Sequence, residues 1–431
     1  MKKTTNSRKF YIALVIFSLT GQVAWVIENM YLNVFIYKMF NASAEAISTM
    51  VAASAIAATV TTLLIGALSD KLGKRKLFIC GGYILWGISI WSFALIRMDV
   101  INNLFPAAAS AASVGVSLVI IMDCVMTFFG SSANDACFNA WLTDATDETN
   151  RGKAEGINAM MPLMAILVVF GGFMGIDQNE ATGWTIIFGV IGTVVTLLGI
   201  IGFFLIEEKT FKIPENQNYF ANIFYGFRPS VIRRNVTLYL SLLAFAVFNI
   251  SIQIFMPYLI LYYNVSLGME NYVLIMAPAI LLAAVFTALY GRVYDRFRFK
   301  TAVLPAIGLL MAGYVLLYFF RGTALVFIGS LLMMCGYLSG MAVFGAMLRD
   351  HTPENRAGMF QGLRIVGQVL IPGVIGPAIG AAVLKNAEQV LNGDGTYSFK
   401  PNENIFLAAF IAAAVMCLTL LPLFRIIRKR R

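Results

Sequence analysis

Twelve stretches of mostly apolar residues, each about long enough to cross a bilayer core, are the strongest constraint on this chain. They lie at about 10–37, 46–68, 77–97, 113–142, 154–176, 184–206, 236–262, 271–291, 301–320, 324–348, 358–384 and 403–424. In hydrocarbon only helices and closed barrels satisfy their backbone, and runs this long are helical. The pattern predicts an all-α membrane protein with twelve transmembrane helices. Composition agrees: 59% of the 431 residues are apolar and 13% are charged, too few charges to wet a soluble surface. The basic N-terminus leads into an apolar run too long for a signal-peptide core, so the sequence predicts a retained first span.

The net charge of +10 would suggest nucleic acid in a soluble domain. Here the bases are sorted by side. Of the 32 Lys and Arg, 26 fall in the tails and alternate loops on one side, five fall on the other, and Arg364 lies inside a span. Bases mark the cytoplasmic side, so both termini are expected there, in a multi-pass protein of the cell (inner) membrane. No nucleic-acid partner is expected. The single histidine, His351, leaves no basis for a histidine metal cluster or a Ser-His-Asp triad. Five scattered cysteines read as small apolar residues. We expect no enzyme, no catalytic residues, no metal and no cofactor.

The chain repeats itself. Gly66-Ala-Leu-Ser-Asp70-Lys71 recurs as Gly291-Arg-Val-Tyr-Asp295-Arg296. Asp144 to Arg151 recurs as Asp350 to Arg356, and Gly171/Gly175 as Gly376/Gly380. Three matches in one order predict two pseudo-symmetric six-helix bundles, at 1–206 and 236–431. The polar stretch 207–235 would be a cytoplasmic linker. Two parallel repeats are one plan of secondary transporters.

Gly66-Ala-Leu68-Ser-Asp70-Lys71-Leu-Gly73-Lys74-Arg75-Lys76 resembles the loop between spans two and three of the major facilitator superfamily. Span count, loop position and repeat extend the resemblance over essentially the whole chain. It implies alternating access, with spans 1, 4, 7 and 10 lining the path. It also implies a cytoplasmic gate of Gly66, Asp70, Lys71, Gly73, Lys74 and Arg75, with Asp70 against the N-terminus of span eleven, where an anion meets unpaired N–H groups. Asp295 and Arg296 would be the weaker second copy. Asp135-Ala-Cys-Phe138, with Leu142, Thr146 and Arg151, is more faintly similar to the glycoside-pentoside-hexuronide cation symporters of the melibiose permease type, as is Met30-Tyr31-Leu32. That similarity implies a cation-binding role for Asp135. Where those proteins carry acids in span two, this chain reads Ala58 to Thr62, and Gln22 stands for their span-one sugar-binding acid.

Of 22 acids, only Glu28, Asp123 and Asp135 lie inside spans and away from their ends. A charge at mid-bilayer costs at least about 2.5 kcal/mol, so such groups face a cavity or a partner. Glu28 is a candidate to load and release a coupling proton, or else a protonated acid bonding a neighbouring helix. Asp135, beside Asn134, would suit sodium or a proton equally. Asp123 either lines the path or pairs structurally. Gln22, Asn29 and Asn33 are spaced seven and four apart and read as one stripe. Asn249, Gln253, Phe255, Tyr258 and Tyr262 form a second stripe on span seven, suited to sugars or amphipathic drugs. Arg364 pairs with a membrane acid or snorkels to the interface. The glycine pairs read as packing devices.

The sequence therefore predicts a monomeric secondary transporter in the bilayer. Its partners would be a small polar solute such as a sugar or glycoside and a proton or sodium ion. A proton-driven exporter of hydrophobic compounds and a non-transporting membrane sensor are the alternatives.

Overall fold

The computed structural model describes residues 8–106, 108, 110–146, 151–207, 225–351, 362–391 and 396–429. Eleven helices among them are long and apolar enough to span a membrane: Arg8–Phe40, Ala44–Ser69, Arg75–Leu95, Ala111–Ala145, Ala181–Leu205, Val236–Ser266, Val273–Gly291, Phe299–Phe319, Thr323–Leu348, Gly362–Leu384 and Asn404–Ile426. Ile157–Phe173 is a shorter apolar helix at the fifth position. In chain order these are spans 1 to 12. The start of span 4 is fixed by its cap. Ser110 has an extended backbone, and its hydroxyl accepts from the Ser113 N–H at 3.3 Å. The apolar residues just before it therefore belong to the approach.

The chain forms two compact units. One comprises Met1–Ala42 and Ala53–Gln217, the other Ser43–Ala52 and Asn218–Arg431. In the first, Trp184 packs edge-on to Phe35 at 5.3 Å, and Phe17 packs edge-on to Tyr83 at 4.9 Å. In the second, Phe255 meets Tyr314 at 5.5 Å, and Phe245 stacks on Phe344 at 5.2 Å. Ser251 ties this core together, donating to the Ala409 carbonyl at 2.9 Å with the Tyr314 hydroxyl 3.0 Å away.

Two features depart from the sequence reading. Helix runs unbroken from Val273 to Phe319 through the expected loop at 292–300. No Gly or Pro lies between Gly291 and Pro305 to stop it, and propensity there permits helix. Between spans 11 and 12, Gln389–Leu391 (β1) pairs antiparallel with Tyr397–Phe399 (β2), the only sheet among the described residues. The intervening Asn392-Gly-Asp-Gly395 is hairpin chemistry, but three-residue strands alternate too briefly to read.

The glycines sort by environment. Gly376 and Gly380 lie against Gln253 and Ile254 of span 7, as packing devices should. Gly171 and Gly175 face open space, so no helix crosses closely at either. Gly73 sits at φ 63°, a left-handed turn that L side chains resist. Gly73→Ala is expected to destabilise the protein by about 1 kcal/mol. A lowered thermal midpoint in detergent would register it.

Candidate functional site

Span 1 is not a uniform α-helix. Ile27–Tyr31 is a π-helical turn, and Glu28 lies in it. Span 4 carries a second at Ser131–Phe138, which holds Asn134 and Asp135. A π turn inserts a residue into the helical repeat, re-aims the side chains around it and recurs at functional sites. Two of the three membrane acids, Glu28 and Asp135, thus sit on such turns.

Glu28 is 7% exposed. Its Oε1 accepts from Ser54 Oγ of span 2 at 2.6 Å and from Thr127 Oγ1 of span 4 at 2.9 Å. The two hydroxyls are 2.8 Å from each other. Oε2 is buried without a hydrogen-bond partner. Asp123 lies one turn before Thr127, is 1% exposed, and interacts with both Ser54 and the Glu28 carboxyl. Its Oδ1 is also unpartnered. Two buried carboxyls therefore converge on the Ser54 hydroxyl, and each keeps an oxygen free. Span 2 brings no acid or base to this level, its residues 47–61 being apolar or hydroxylic.

Lower on span 4, Asp135 accepts from Ser131 Oγ at 3.0 Å. Asp123, Thr127, Ser131 and Asp135 recur every four residues and form a polar strip. Asn134 Oδ1 lies 3.0 Å from the Tyr83 hydroxyl of span 3, which also reaches the Phe17 carbonyl of span 1 at 2.8 Å. Gly21 makes this crossing possible, since a Cβ there would stand 2.7 Å from the Tyr83 hydroxyl.

The other polar candidates are dispersed. Gln22 is half-buried, Asn29 exposed and Asn33 fully buried. Asn29 donates to the Trp25 carbonyl and Asn33 to the Asn29 carbonyl, both at 2.8 Å. The π turn between Gln22 and Asn33 shifts the register, so their spacing does not give them one environment. In the second unit, Asn249 donates to its own helix at Phe245. Gln253 is half-buried against Gly376. Tyr258 is fully buried, its hydroxyl directed at the Ala44 and Pro377 carbonyls at 3.0 and 3.3 Å. The span-7 aromatics are thus packed core, which corrects their reading as a path-facing stripe. Their carbonyl partners are tertiary and invisible in sequence. Arg364 donates to Gln368 of its own helix at 3.1 Å.

At the inner end of the first unit, Arg75 donates to Asp144 Oδ2 at 2.7 Å and to Ser69 Oγ at 3.0 Å. Gly66 lies near Ala136 of span 4. Lys71 and Lys74 are exposed. The side chains of Asp70, Asp295 and Arg151 lie outside the described residues. Arg296 is exposed.

Ser54, Thr127 and Tyr83 were not singled out from the sequence. The four-residue spacing of Asp123, Thr127, Ser131 and Asp135 on span 4 is a signal that could have found Thr127. Nothing pointed to Ser54.

The sequence profile of the Major Facilitator Superfamily matches residues 10–377. The chain belongs to this superfamily. It is accordingly a multi-pass membrane transporter and not an enzyme. Solved structures share the superfamily fold at low identity. A mutant of the nucleoside transporter NupG aligns with TM-score 0.71 and 12% identity over 96% of this chain and 99% of that one. A bacterial homolog of the human lysosomal transporter Spinster, inward-facing and unoccupied, aligns at 0.67 and 16% over 100% and 99%. The xylose transporter XylE from E. coli, partially occluded and inward open, aligns at 0.68 and 13% over 95% and 96%. No curated protein matches the chain by sequence.

Proposed function

We propose that this superfamily member is a secondary active transporter that couples a proton or sodium ion to movement of a small polar solute such as a sugar or glycoside. The reading rests foremost on one observation: Glu28 and Asp123, two buried acids of the first unit, meet at the Ser54 hydroxyl and each retain an unpartnered oxygen. A buried carboxyl is too costly to keep without a counter-charge, and the cluster contains no base. A binding cation or proton supplies what is missing. Glu28 is the coupling group, Asp123 its partner, and Asp135 the acid nearer the inner end. Gln22 and Asn29 of the same unit supply amide groups for hydroxyl-bearing solutes. A D-xylose-proton symporter with the same fold supports solute and coupling together, at 14% identity. The sorting of bases supports cytoplasmic termini in the cell (inner) membrane.

The test is uptake into proteoliposomes of radiolabelled pentoses, hexoses, glycosides and nucleosides, with pH and sodium gradients imposed separately. Concentrative uptake of one class under one gradient is the expected result. Gradient-driven extrusion of hydrophobic dyes with no response to any polar solute would replace this reading with the exporter.

The Ser69–Arg75–Asp144 contacts support a cytoplasmic gate built on the 66–76 loop, with Asp70 as its anion. Asp70→Asn is expected to slow turnover with near-normal affinity. Arg75→Gln should do the same, and adding Asp144→Asn should change little further, because the two share one contact worth about 1 kcal/mol. Turnover and half-saturation of the single and double variants decide it.

A further inference from the structure

We infer that Glu28 binds a proton rather than a sodium ion, because Ser54 and Thr127 close a hydrogen-bond ring that only a protonated carboxyl completes. The inference rests on the proposed coupling role of Glu28 and goes on to name the ion. Three oxygens, Glu28 Oε1, Ser54 Oγ and Thr127 Oγ1, lie within 2.6, 2.8 and 2.9 Å of one another. Each distance is that of an O–H···O hydrogen bond. Each hydroxyl carries one hydrogen, and a carboxylate carries none. Two hydrogens cannot fill three contacts. One edge of the triangle would then be two oxygens facing each other through lone pairs, in a buried site. A hydrogen on Oε1 removes the conflict, since each oxygen then donates once and accepts once around the ring.

A sodium ion fits the same oxygens poorly. Hard cations hold oxygen ligands at roughly 2.3–2.6 Å. Octahedral coordination at about 2.4 Å spreads neighbouring ligand oxygens to about 3.4 Å. The three oxygens here are closer than that on every edge. Binding sodium through these three oxygens would mean breaking all three contacts. Binding a proton means keeping them.

The titratable groups that act on Glu28 among the described residues are Asp123, Cys124 and Asp135, all on span 4. None is basic, so the counter-charge to Glu28 comes from solution. The proton arrives from water on one side of the membrane and leaves to water on the other, with no covalent partner besides the Glu28 oxygen. Ser54 and Thr127 act as positioning residues that set the ion choice.

The experiment is infrared difference spectroscopy of the reconstituted full chain, titrated with pH alone and then with sodium chloride at fixed pH. The expected result is a protonated-carboxyl C=O band that is lost in Glu28→Gln and retained in Asp123→Asn. It should shift in frequency in Ser54→Ala and Thr127→Val, return in Thr127→Ser, and stay unchanged on adding sodium. A band that persists in Glu28→Gln, or that is lost in Asp123→Asn instead, overturns the assignment. So does a band that sodium removes at constant pH. If Glu28→Gln loses the band yet still concentrates solute like the wild type, the proton site stands and the coupling reading fails.

Discussion

Glu28→Gln is expected to abolish gradient-driven accumulation while leaving solute exchange near the wild-type rate. The substitution keeps shape. The glutamine Oε1 still accepts from a hydroxyl of the Ser54–Thr127 pair and lacks only the hydrogen that closes the ring, so a contact between spans 1, 2 and 4 survives. What changes is the ability to gain and lose a positive charge. A gradient moves a transporter only through the difference in ion affinity between its conformations. A neutral amide has no such difference to offer. The solute should therefore equilibrate across the membrane and go no further. Counterflow, which needs alternation but no net ion movement, isolates the surviving half of the cycle. Full concentrative uptake by the variant would remove Glu28 from the coupling. Loss of counterflow together with accumulation would instead place Glu28 in solute binding or in folding. Thermal stability then separates those two, because a correctly packed amide should cost at most about 1 kcal/mol here.

What the sequence disclosed and what it withheld divide along physical lines. The spans were legible because the bilayer imposes both length and composition on each of them. Glu28, Asp123 and Asp135 were legible for the same reason: a carboxyl in hydrocarbon is conspicuous. Ser54 and Thr127 were not, because a hydroxyl in a membrane helix ordinarily bonds its own backbone. Its choice of a distant partner is made by packing. The π turns at Ile27–Tyr31 and Ser131–Phe138 have no composition signal, and both reset the register on which a stripe argument depends. Hence Asn29 and Asn33, four residues apart, differ in burial. Tyr258 failed in a different way. Its chemistry suited a binding surface, but two main-chain carbonyls took its hydroxyl. The repeat was read from residues alone, and its two glycine pairs differ in geometry, since Gly376 and Gly380 pack while Gly171 and Gly175 do not.

That last contrast leads to the largest expected change in stability. Gly87 of span 3 lies where span 6 crosses, and the contact is backbone to backbone. A Cβ at position 87 would stand 2.5 Å from both the Gly192 carbonyl oxygen and the Thr196 nitrogen, and closer still to the Thr196 hydroxyl. Gly192 returns the constraint, its own Cβ position falling 2.7 Å from the Gly87 carbonyl. Neither helix can retreat by a rotamer change, because the obstructing atoms are main chain. Small residues at such crossings are what lets membrane helices associate, as lipid gives no hydrophobic push between them. Gly87→Val should therefore cost about 3 kcal/mol or more, at the upper end of the usual overpacking range. It should lower the thermal midpoint in detergent sharply and reduce the yield of folded protein. Gly171→Val is the matched control: the same change in a span, at a site with nothing within 4 Å. It should be close to neutral. Adding Thr196→Gly to Gly87→Val should recover only part of the loss, because it clears the hydroxyl and leaves the two backbone obstructions in place. Equal effects at positions 87 and 171 would mean that β-branching in a membrane helix, and not the crossing, sets the cost. A Gly87→Val protein as stable as the wild type would mean that spans 3 and 6 do not approach this closely in the bilayer.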